Sequence, residues 1–335
     1  MSTGDMTSEE LDLEEANEST EDLSEQFAVP AEYVGARIDL CLAQLYPHHS
    51  RAYLQRLIRK GAILVDDVPV RPAATLSPES AIRITWPQVK AYELHPEPVD
   101  FEILAEDEHV IVLNKPPGLC VHPAPGNRTG TLVHGLLDYD PDSFTPMIDA
   151  HMRPGIVHRL DMFTSGAMVV AKTPEALLRL KSAFKERRVE KTYLALVIGE
   201  FGSMTGTIEN QIGRHSWHRT KMVVVQEGGK HALTKYRVLG TGEGFSLLEV
   251  RIFTGRTHQI RVHFSHLNHP ILGDPVYGGS RSDCPVEVTR HLLHAWKLVF
   301  PHPDTGVMRQ YMAPPPKDFR DVLEALGLPR IGEWA

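Results

Sequence analysis

The chain has 335 residues, and its formal net charge of −8 argues at first against a nucleic-acid partner. This length allows one to three domains with a sizeable core. No run approaches the roughly 18 apolar residues that a membrane helix needs. The three cysteines are odd in number and far apart, which is typical of a reducing compartment. We therefore expect a cytoplasmic, monomeric protein that does not enter a membrane.

The negative charge is concentrated at one end of the chain. Residues 1–26 contain ten Asp or Glu and no Lys or Arg, so the remaining chain has 35 basic and 33 acidic residues. A segment with little apolar content and high net charge does not form a core, and we expect residues 1–26 to be a disordered acidic tail. The rest of the chain is therefore near +2 with neutral histidines, and its charge does not argue against a nucleic-acid partner.

Residues 27–88 are expected to form a small first domain, with two short helices before a hairpin of short strands. Apolar spacing predicts these elements. The second helix carries four cations, which no acidic residue between positions 50 and 65 balances: Arg51, Arg56, Arg59 and Lys60. A solvated helix face is the ordinary explanation of such a cluster, whereas the missing acidic partners favour phosphate as the counter-charge. Residues 89–98 are polar and contain prolines, and they are the expected linker.

A second domain is expected from residue 99 to residue 328. It opens with a strand at 109–113, and the loop Asn114-Lys115-Pro116-Pro117-Gly118 follows. Two roles are open to Lys115: an ordinary surface lysine or a direct contact to the substrate. A helix is predicted from residue 131.

The segment Gly155–Thr173 contains the most chemically suggestive loop. His158-Arg159-Leu160-Asp161 and the small-residue turn Thr164-Ser165-Gly166 lie between two apolar stretches. Gly166 provides a backbone conformation that other residues avoid. Such a loop can hold one carboxylate beside a cation. Asp161 is therefore either a catalytic group or an ordinary cap of a neighbouring backbone N–H.

Two further segments contain polar side chains within predicted strands or helices. A strand at 191–197 includes Tyr193, which is a core residue or a site residue. A strand at 245–252, a turn and a helix at 257–267 follow, and this last segment contains the phrase Gly255-Arg256-Thr257-His258-Gln259-Ile260-Arg261-Val262-His263. His258 and Arg261 are three residues apart and are expected to share one helix face.

Together these segments resemble the ribosomal large-subunit pseudouridine synthases, in the expected order over about residues 33–328. The loop at 114–118 is similar to motif I, the loop at 158–166 to motif II, and residues 255–263 to motif III. The first domain resembles the S4 RNA-binding domain. The run Gly273-Asp274-Pro275-Val276-Tyr277-Gly278 is similar to the D-type branch. One departure is Met162-Phe163, where relatives commonly carry Lys and an acidic residue.

The resemblance implies a role for each matched residue. Asp161 would be the catalytic residue, Arg261 its charge partner and Tyr193 the active-site tyrosine, with His158 and Arg159 as substrate-binding or supporting residues. The fold would be an S4-like domain followed by an α+β or α/β catalytic domain with a mixed, largely antiparallel sheet flanked by helices. The expected partner is 23S ribosomal RNA.

We therefore expect an isomerase that converts uridine to pseudouridine in RNA. The sequence contains no nucleotide-binding motif, and its histidines lack the context of a zinc site, so no cofactor and no metal are expected. Attack of Asp161 on the sugar, attack on the base and proton removal all stay open. A catalytically silent RNA-binding protein of the same fold and a nucleoside hydrolase-like enzyme are the alternatives.

Overall fold

The computed structural model describes residues 24–47, 49, 51–86, 94–124, 126–148, 152–218, 221–281 and 284–329. The chain divides into two compact units between residues 93 and 94. Most of the predicted acidic tail (residues 1–23) and part of the predicted linker (89–93) lie outside the described residues. In the part of the chain that is described, no helix is long and apolar enough to cross a membrane.

The first unit contains two short helices and a four-stranded antiparallel sheet with the strand order β1-β4-β2-β3. Its elements are β1 (Ser24–Ala28), a 3₁₀ turn (Ala31–Tyr33), α1 (Ile38–Leu45), α2 (Arg51–Arg59), β2 (Ile63–Val65), β3 (Val68–Pro69) and β4 (Ala81–Thr85). Both helices pack their apolar faces against this sheet, because Leu42, Leu54, Ile58 and Ile82 belong to one buried cluster.

The expectation that the acidic tail extends to residue 26 is wrong at its last three residues. Ser24, Glu25 and Gln26 lie in β1, which pairs with β4. The Trp86 indole Nε1–H also donates a hydrogen bond to Glu25 Oε1 at 2.6 Å. A charged edge strand looks like a disordered segment in composition alone, because its stability comes from ladder hydrogen bonds with a distant strand.

The second unit is built on a sheet of ten described strands. The sheet is mixed and largely antiparallel, which confirms the fold that the resemblance implies. Its order is β10-β9-β11-β12-β8-β13-β7-β6-β5, with β14 paired to β13, and only the β13–β7 pair is parallel among the described strands. The strands are β5 (Glu102–Glu106), β6 (Val110–Lys115), β7 (Ser165–Ala171), β8 (Glu190–Ile198), β9 (Thr205–Arg214), β10 (Met222–Val225), β11 (Lys230–Gly242), β12 (Phe245–Ile252), β13 (Leu293–Pro301) and β14 (Met308–Met312).

Helices cover both faces of this sheet. Successive strand residues point to opposite faces, so Ile111 and Leu113 of β6 join one buried cluster while Val110 and Val112 join another. The helices are α3 (Leu132–Tyr139), α4 (Pro141–Phe144), α5 (Pro174–Lys185), α6 (Gln259–His266) and α7 (Lys317–Ala325), with a 3₁₀ turn at Thr145–Met147. Helices α3 and α6 contribute to the first cluster, and α5 and α7 contribute to clusters on the opposite face.

The loop that carries Asp161 is fixed where it enters the sheet. Gly166 has φ of 118° and pairs in parallel with Ala295 of β13. A side chain at position 166 would collide with the Ala295 backbone, so only glycine allows this approach. The loop therefore ends on the central strands of the sheet.

Candidate active site

A cavity of about 420 Å³ opens where three segments of the second unit meet. Residues 157–161 form one wall, strand β8 contributes Lys191 and Tyr193, and residues 255–261 form the opposite wall. Lys191 and Tyr193 are two residues apart in a strand, so both side chains face the cavity. The five residues predicted for this site all line it: His158, Arg159, Asp161, Tyr193 and Arg261.

Arg261 lies between two carboxylates. Its Nη1 donates a hydrogen bond to Asp161 Oδ2 at 3.1 Å, and its Nε and Nη2 donate to both carboxylate oxygens of Asp274 at 2.7 and 2.9 Å. The Arg261 side chain is 6% exposed, that of Asp274 0% and that of Asp161 21%. The guanidinium is thus fixed by the buried aspartate and presents its remaining edge to the accessible one.

Asp274 is the functional residue that the sequence analysis did not assign. Burial alone would raise its pKa, but hydrogen bonds from Arg261 outweigh this effect and lower it. Its Oδ1 also accepts from the backbone N–H groups of Val276 and Tyr277 at 3.0 and 3.2 Å. An Asp followed by Pro suggests such a turn. No sequence pattern indicates a contact with an arginine 13 residues earlier.

Lys115 joins the loop of motif I to the loop of Asp161. Its ammonium group donates to the carbonyl oxygens of Pro116, Leu119 and Met162 at 2.7, 2.9 and 3.0 Å. Lys115 is fully buried, and this burial lowers its pKa to about 7. The three carbonyl acceptors match the three N–H bonds of a charged ammonium group, and they therefore favour the charged form. The first role that the sequence left open for Lys115, a surface lysine, is therefore wrong, and the side chain does not line the cavity.

The departure at Met162-Phe163 leaves the geometry of the loop intact. The Met162 carbonyl accepts from Lys115 Nζ and from the Gly118 N–H, and the Phe163 carbonyl accepts from Arg290 Nη1 at 3.1 Å. Neither side chain lines the cavity, and Phe163 is 44% exposed. The loop is held through backbone carbonyls, which any residue type provides.

Tyr193, His158 and Arg159 have different environments. Burial, with a further contribution from the charge of Asp161, raises the pKa of Tyr193 well above its usual value. His158 stacks on Phe184, and its Nε2 accepts a hydrogen bond from the Val169 N–H at 3.1 Å. Burial lowers the pKa of His158 to about 3, so this histidine is neutral and supports the loop. Arg159 is exposed at the cavity mouth.

The cavity is strongly cationic. Asp161 is the only acidic residue among the described residues that line it, against five cations: Arg159, Lys185, Lys191, Arg256 and Arg261. Burial lowers the pKa of Lys191 to about 8. This charge pattern suits a phosphate-bearing substrate and a reaction that uses one carboxylate. Within the described ranges, no group of three His, Cys, Asp or Glu residues could hold a metal ion.

The predicted RNA-binding cations of the first unit fall into two groups. Arg51 donates from Nε and Nη2 to Asp39 Oδ2 at 3.1 and 2.8 Å, and the Asp39 side chain is 0% exposed. Burial raises the pKa of Asp39, but hydrogen bonds from Arg51, Gln55 and Arg37 outweigh it and lower the pKa to about 2. Arg51 thus has an acidic partner from α1. Arg56, Arg59 and Lys60 are all exposed near the end of α2 and form no ion pair among the described residues.

Comparison with known proteins identifies the family. A family model described as "RNA pseudouridylate synthase" matches residues 109–266, and a model of the S4 domain matches residues 36–82. The chain is also 42% identical over 330 residues to the ribosomal large subunit pseudouridine synthase D of Neisseria meningitidis serogroup A, covering 96% of this chain and 86% of the relative. The chain belongs to the RNA pseudouridine synthase family. It is accordingly an isomerase of uridine in RNA, built from an S4 domain and a synthase domain.

Other members of the family are similar over comparable lengths. The pseudouridine synthase D of Pseudomonas aeruginosa is 43% identical, with 89% of this chain and 94% of the relative covered. The solved structure of human RNA pseudouridylate synthase domain containing 1 is 33% identical and has a TM-score of 0.52, covering 65% of this chain and 84% of that one. The predicted fold class and the predicted family are both confirmed.

Proposed function

We propose that this pseudouridine synthase modifies uridines of 23S ribosomal RNA in the cytoplasm, with Asp161 as its catalytic carboxylate. The observation that supports this proposal most directly is the geometry of Asp161. Arg261 holds Oδ2, while Oδ1 has no hydrogen-bond partner among the described residues and borders the cavity. The names of the bacterial relatives support ribosomal RNA as the substrate class.

The remaining cavity residues act by positioning the nucleotide. The reaction breaks the N1–C1′ bond, turns the uracil and forms a C5–C1′ bond, and the proton lost from C5 is balanced by a proton gained at N1. Tyr193 stacks on the extracted uracil beside Asp161, and Arg159 contacts RNA phosphate at the cavity mouth. Arg261 compensates the charge of Asp161, and His158 supports the loop. Removing the uridine from its stack costs a few kcal/mol, and this cost is lower in a loop than in a duplex.

Two structural units would divide the work. Residues 27–88 would bind RNA through the exposed cations of α2, and residues 99–328 would carry the reaction. The matched ranges of the two family models, 36–82 and 109–266, fall within these proposed domains. Arg51 contributes by holding Asp39 and thereby α1 against α2. We further propose that the protein acts as a monomer, and size-exclusion chromatography with light scattering tests this.

Release of tritium from C5-labelled uridine in 23S RNA tests the activity. Isomerisation releases tritium and leaves the base in the chain, whereas a catalytically silent RNA-binding protein releases none. Free uracil would instead indicate hydrolysis. Glycoside hydrolysis typically uses two carboxylates, and this cavity has only Asp161 among its described lining residues. Mapping pseudouridines in 23S RNA from a deletion strain then identifies the target positions, and an unchanged map would contradict the proposed substrate.

A further inference from the structure

His258 occupies an unusual backbone position at the cavity. It immediately precedes α6 with φ of 55° and ψ of 21°, in the left-handed region. Only a few per cent of non-glycine residues adopt a positive φ, and histidine is among those that do so more readily. The turn is fixed by Gln259, whose Oε1 accepts from the Arg256 N–H and the Thr254 hydroxyl. A histidine that is held rigidly in this uncommon conformation at the cavity suggests that its side chain has a function.

The hydrogen bonds around Tyr277 determine the tautomer of this histidine. The Tyr277 hydroxyl oxygen accepts from the Met222 N–H at 2.9 Å and lies 2.8 Å from His258 Nδ1. No other partner of this hydroxyl occurs among the described residues. Nδ1 is the one described acceptor within reach of the hydroxyl proton, so we assign Nδ1 as the acceptor nitrogen of this contact. In a neutral imidazole the proton then resides on Nε2.

The protonated nitrogen faces the reacting group. His258 Nε2 lies 3.9 Å from Asp161 Oδ2, beyond hydrogen-bond distance, and His258 lines the cavity with its side chain 20% exposed. Burial also lowers the pKa of His258, which keeps the imidazole neutral at pH 7. The Nε2–H group is thus a donor in a fixed position that makes no hydrogen bond to Asp161. It is therefore available to a bound nucleobase.

We infer that His258 donates a hydrogen bond from Nε2 to a carbonyl oxygen of the uracil and thereby stabilises the base as it leaves the sugar. When the N1–C1′ bond breaks, its electron pair moves to the uracil, and negative charge develops on the carbonyl oxygens. His258 keeps its proton throughout, so it acts as a donor in the manner of an oxyanion hole. This inference rests on the proposed function.

Substitutions at His258 separate a donor from a base or a packing residue. His258→Phe keeps a planar ring without the N–H, and its kcat is expected to fall about 100-fold with little change in RNA affinity. His258→Gln places an amide N–H near the position of Nε2 but has no basicity, and it should restore activity to within about tenfold of the wild type. A Phe variant within twofold of the wild type would overturn the inference. A Gln variant as slow as Phe would also overturn it.

Thio-substituted substrates provide the decisive test, because sulfur is a weaker hydrogen-bond acceptor than oxygen. The wild type should isomerise RNA with 2-thiouridine or 4-thiouridine at the target position more slowly than normal RNA. For one of these two substrates, His258→Phe should be as fast as it is on normal RNA. The substrate that slows only the wild type identifies the uracil carbonyl oxygen that accepts the hydrogen bond from His258. Equal slowing of both proteins by both substrates would contradict the donor role, as would no slowing of the wild type. Absence of wild-type activity on normal RNA would instead contradict the proposed function itself.

Tyr277→Phe provides an independent test if His258→Phe does not fold. It keeps the ring against the Arg261 guanidinium, 5.0 Å from the ring centre, but removes the proton that fixes the tautomer. We expect kcat to fall without a change in KM, whereas Tyr277→Phe should have no effect in the His258→Gln background, because an amide has no tautomer to fix. Additive effects of Tyr277→Phe and His258→Gln would show that they act separately and would overturn the inferred role of Tyr277 in orienting the His258 donor.

Discussion

At the scale of single residues, the site depends on one arginine that serves two carboxylates of unequal burial. Asp274 is fully buried and fixes the orientation of Arg261, whereas Asp161 borders the cavity. A buried charge without its partner is costly, while a partly exposed one is solvated. The same guanidinium therefore stabilises the fold through Asp274, and in the proposed mechanism it also compensates the charge of Asp161.

Arg261→Ala and Asp161→Asn should have different effects on the free energy of unfolding. We expect Arg261→Ala to lower the free energy of unfolding by about 3–5 kcal/mol, because it leaves Asp274 buried and unpaired. Asp161→Asn should change it by less than about 1 kcal/mol, since Asp161 is partly exposed. Urea denaturation at pH 7 measures both. Equal effects of the two substitutions would contradict the assigned roles of the two carboxylates.

At the scale of elements, Lys115 shows how two loops are held together. Lys115→Met keeps the length of the side chain but leaves three carbonyl oxygens without their donor. We expect the free energy of unfolding to fall by about 3 kcal/mol and the rate of isomerisation to fall with it. Lys317→Met, which removes an exposed lysine of α7, is the matched control and should be near neutral. Wild-type stability of Lys115→Met would contradict the structural role.

Helix α2 supports a second prediction at this scale. Replacing Arg56, Arg59 and Lys60 with glutamine should reduce the log-log salt slope of RNA binding by about 2, because about three phosphate contacts are lost. Arg51→Gln should instead destabilise the first unit, since buried Asp39 loses a partner. Fluorescence anisotropy at several salt concentrations, together with thermal unfolding, distinguishes these effects. An unchanged slope in the triple variant would remove α2 from RNA binding.

The sequence predicts the elements well where periodicity is strong. The strand at 245–252 has the predicted bounds. Thr173 caps α5 with Pro174 at its first position, an arrangement typical of helix starts. Helix α6 begins at Gln259 rather than Thr257, because His258 has a left-handed backbone conformation. Asp161, Arg261 and Tyr193 could be placed in one site by resemblance. Contacts between distant residues, such as Lys115 with Met162 and Arg51 with Asp39, leave no local pattern and could not be predicted.

At the scale of the whole molecule, buried histidines determine the response of the second unit to acid. Burial lowers the pKa of His122, His263, His291 and His294 to about 4 and that of His158 to about 3. Between these values and the unfolded pKa near 6.5, the unfolded state binds more protons than the folded state. The folded state is favoured most above about pH 6.5, where these histidines are neutral in both states. This stabilisation is lost as the pH falls toward 4, because the unfolded state then gains protons that the buried histidines do not bind.

We therefore expect the free energy of unfolding to fall by several kcal/mol between pH 7 and pH 5. Urea denaturation at half-unit pH intervals measures the slope. His294→Gln should make the slope shallower, because the substitution removes one buried titrating group that bonds to Ser165 and to the Ala313 carbonyl. A free energy of unfolding that is constant from pH 7 to pH 5 would contradict this account.

The most direct test of the central claim is the pseudouridine content of 23S RNA after incubation with Asp161→Asn. This substitution keeps the size of the side chain and removes the carboxylate that Arg261 holds at the cavity. We predict that wild-type protein converts its target uridines, whereas the Asn variant binds the same RNA with unchanged affinity and yields no detectable pseudouridine. Conversion by the Asn variant at a rate near that of the wild type would contradict the assignment of Asp161 as the catalytic residue.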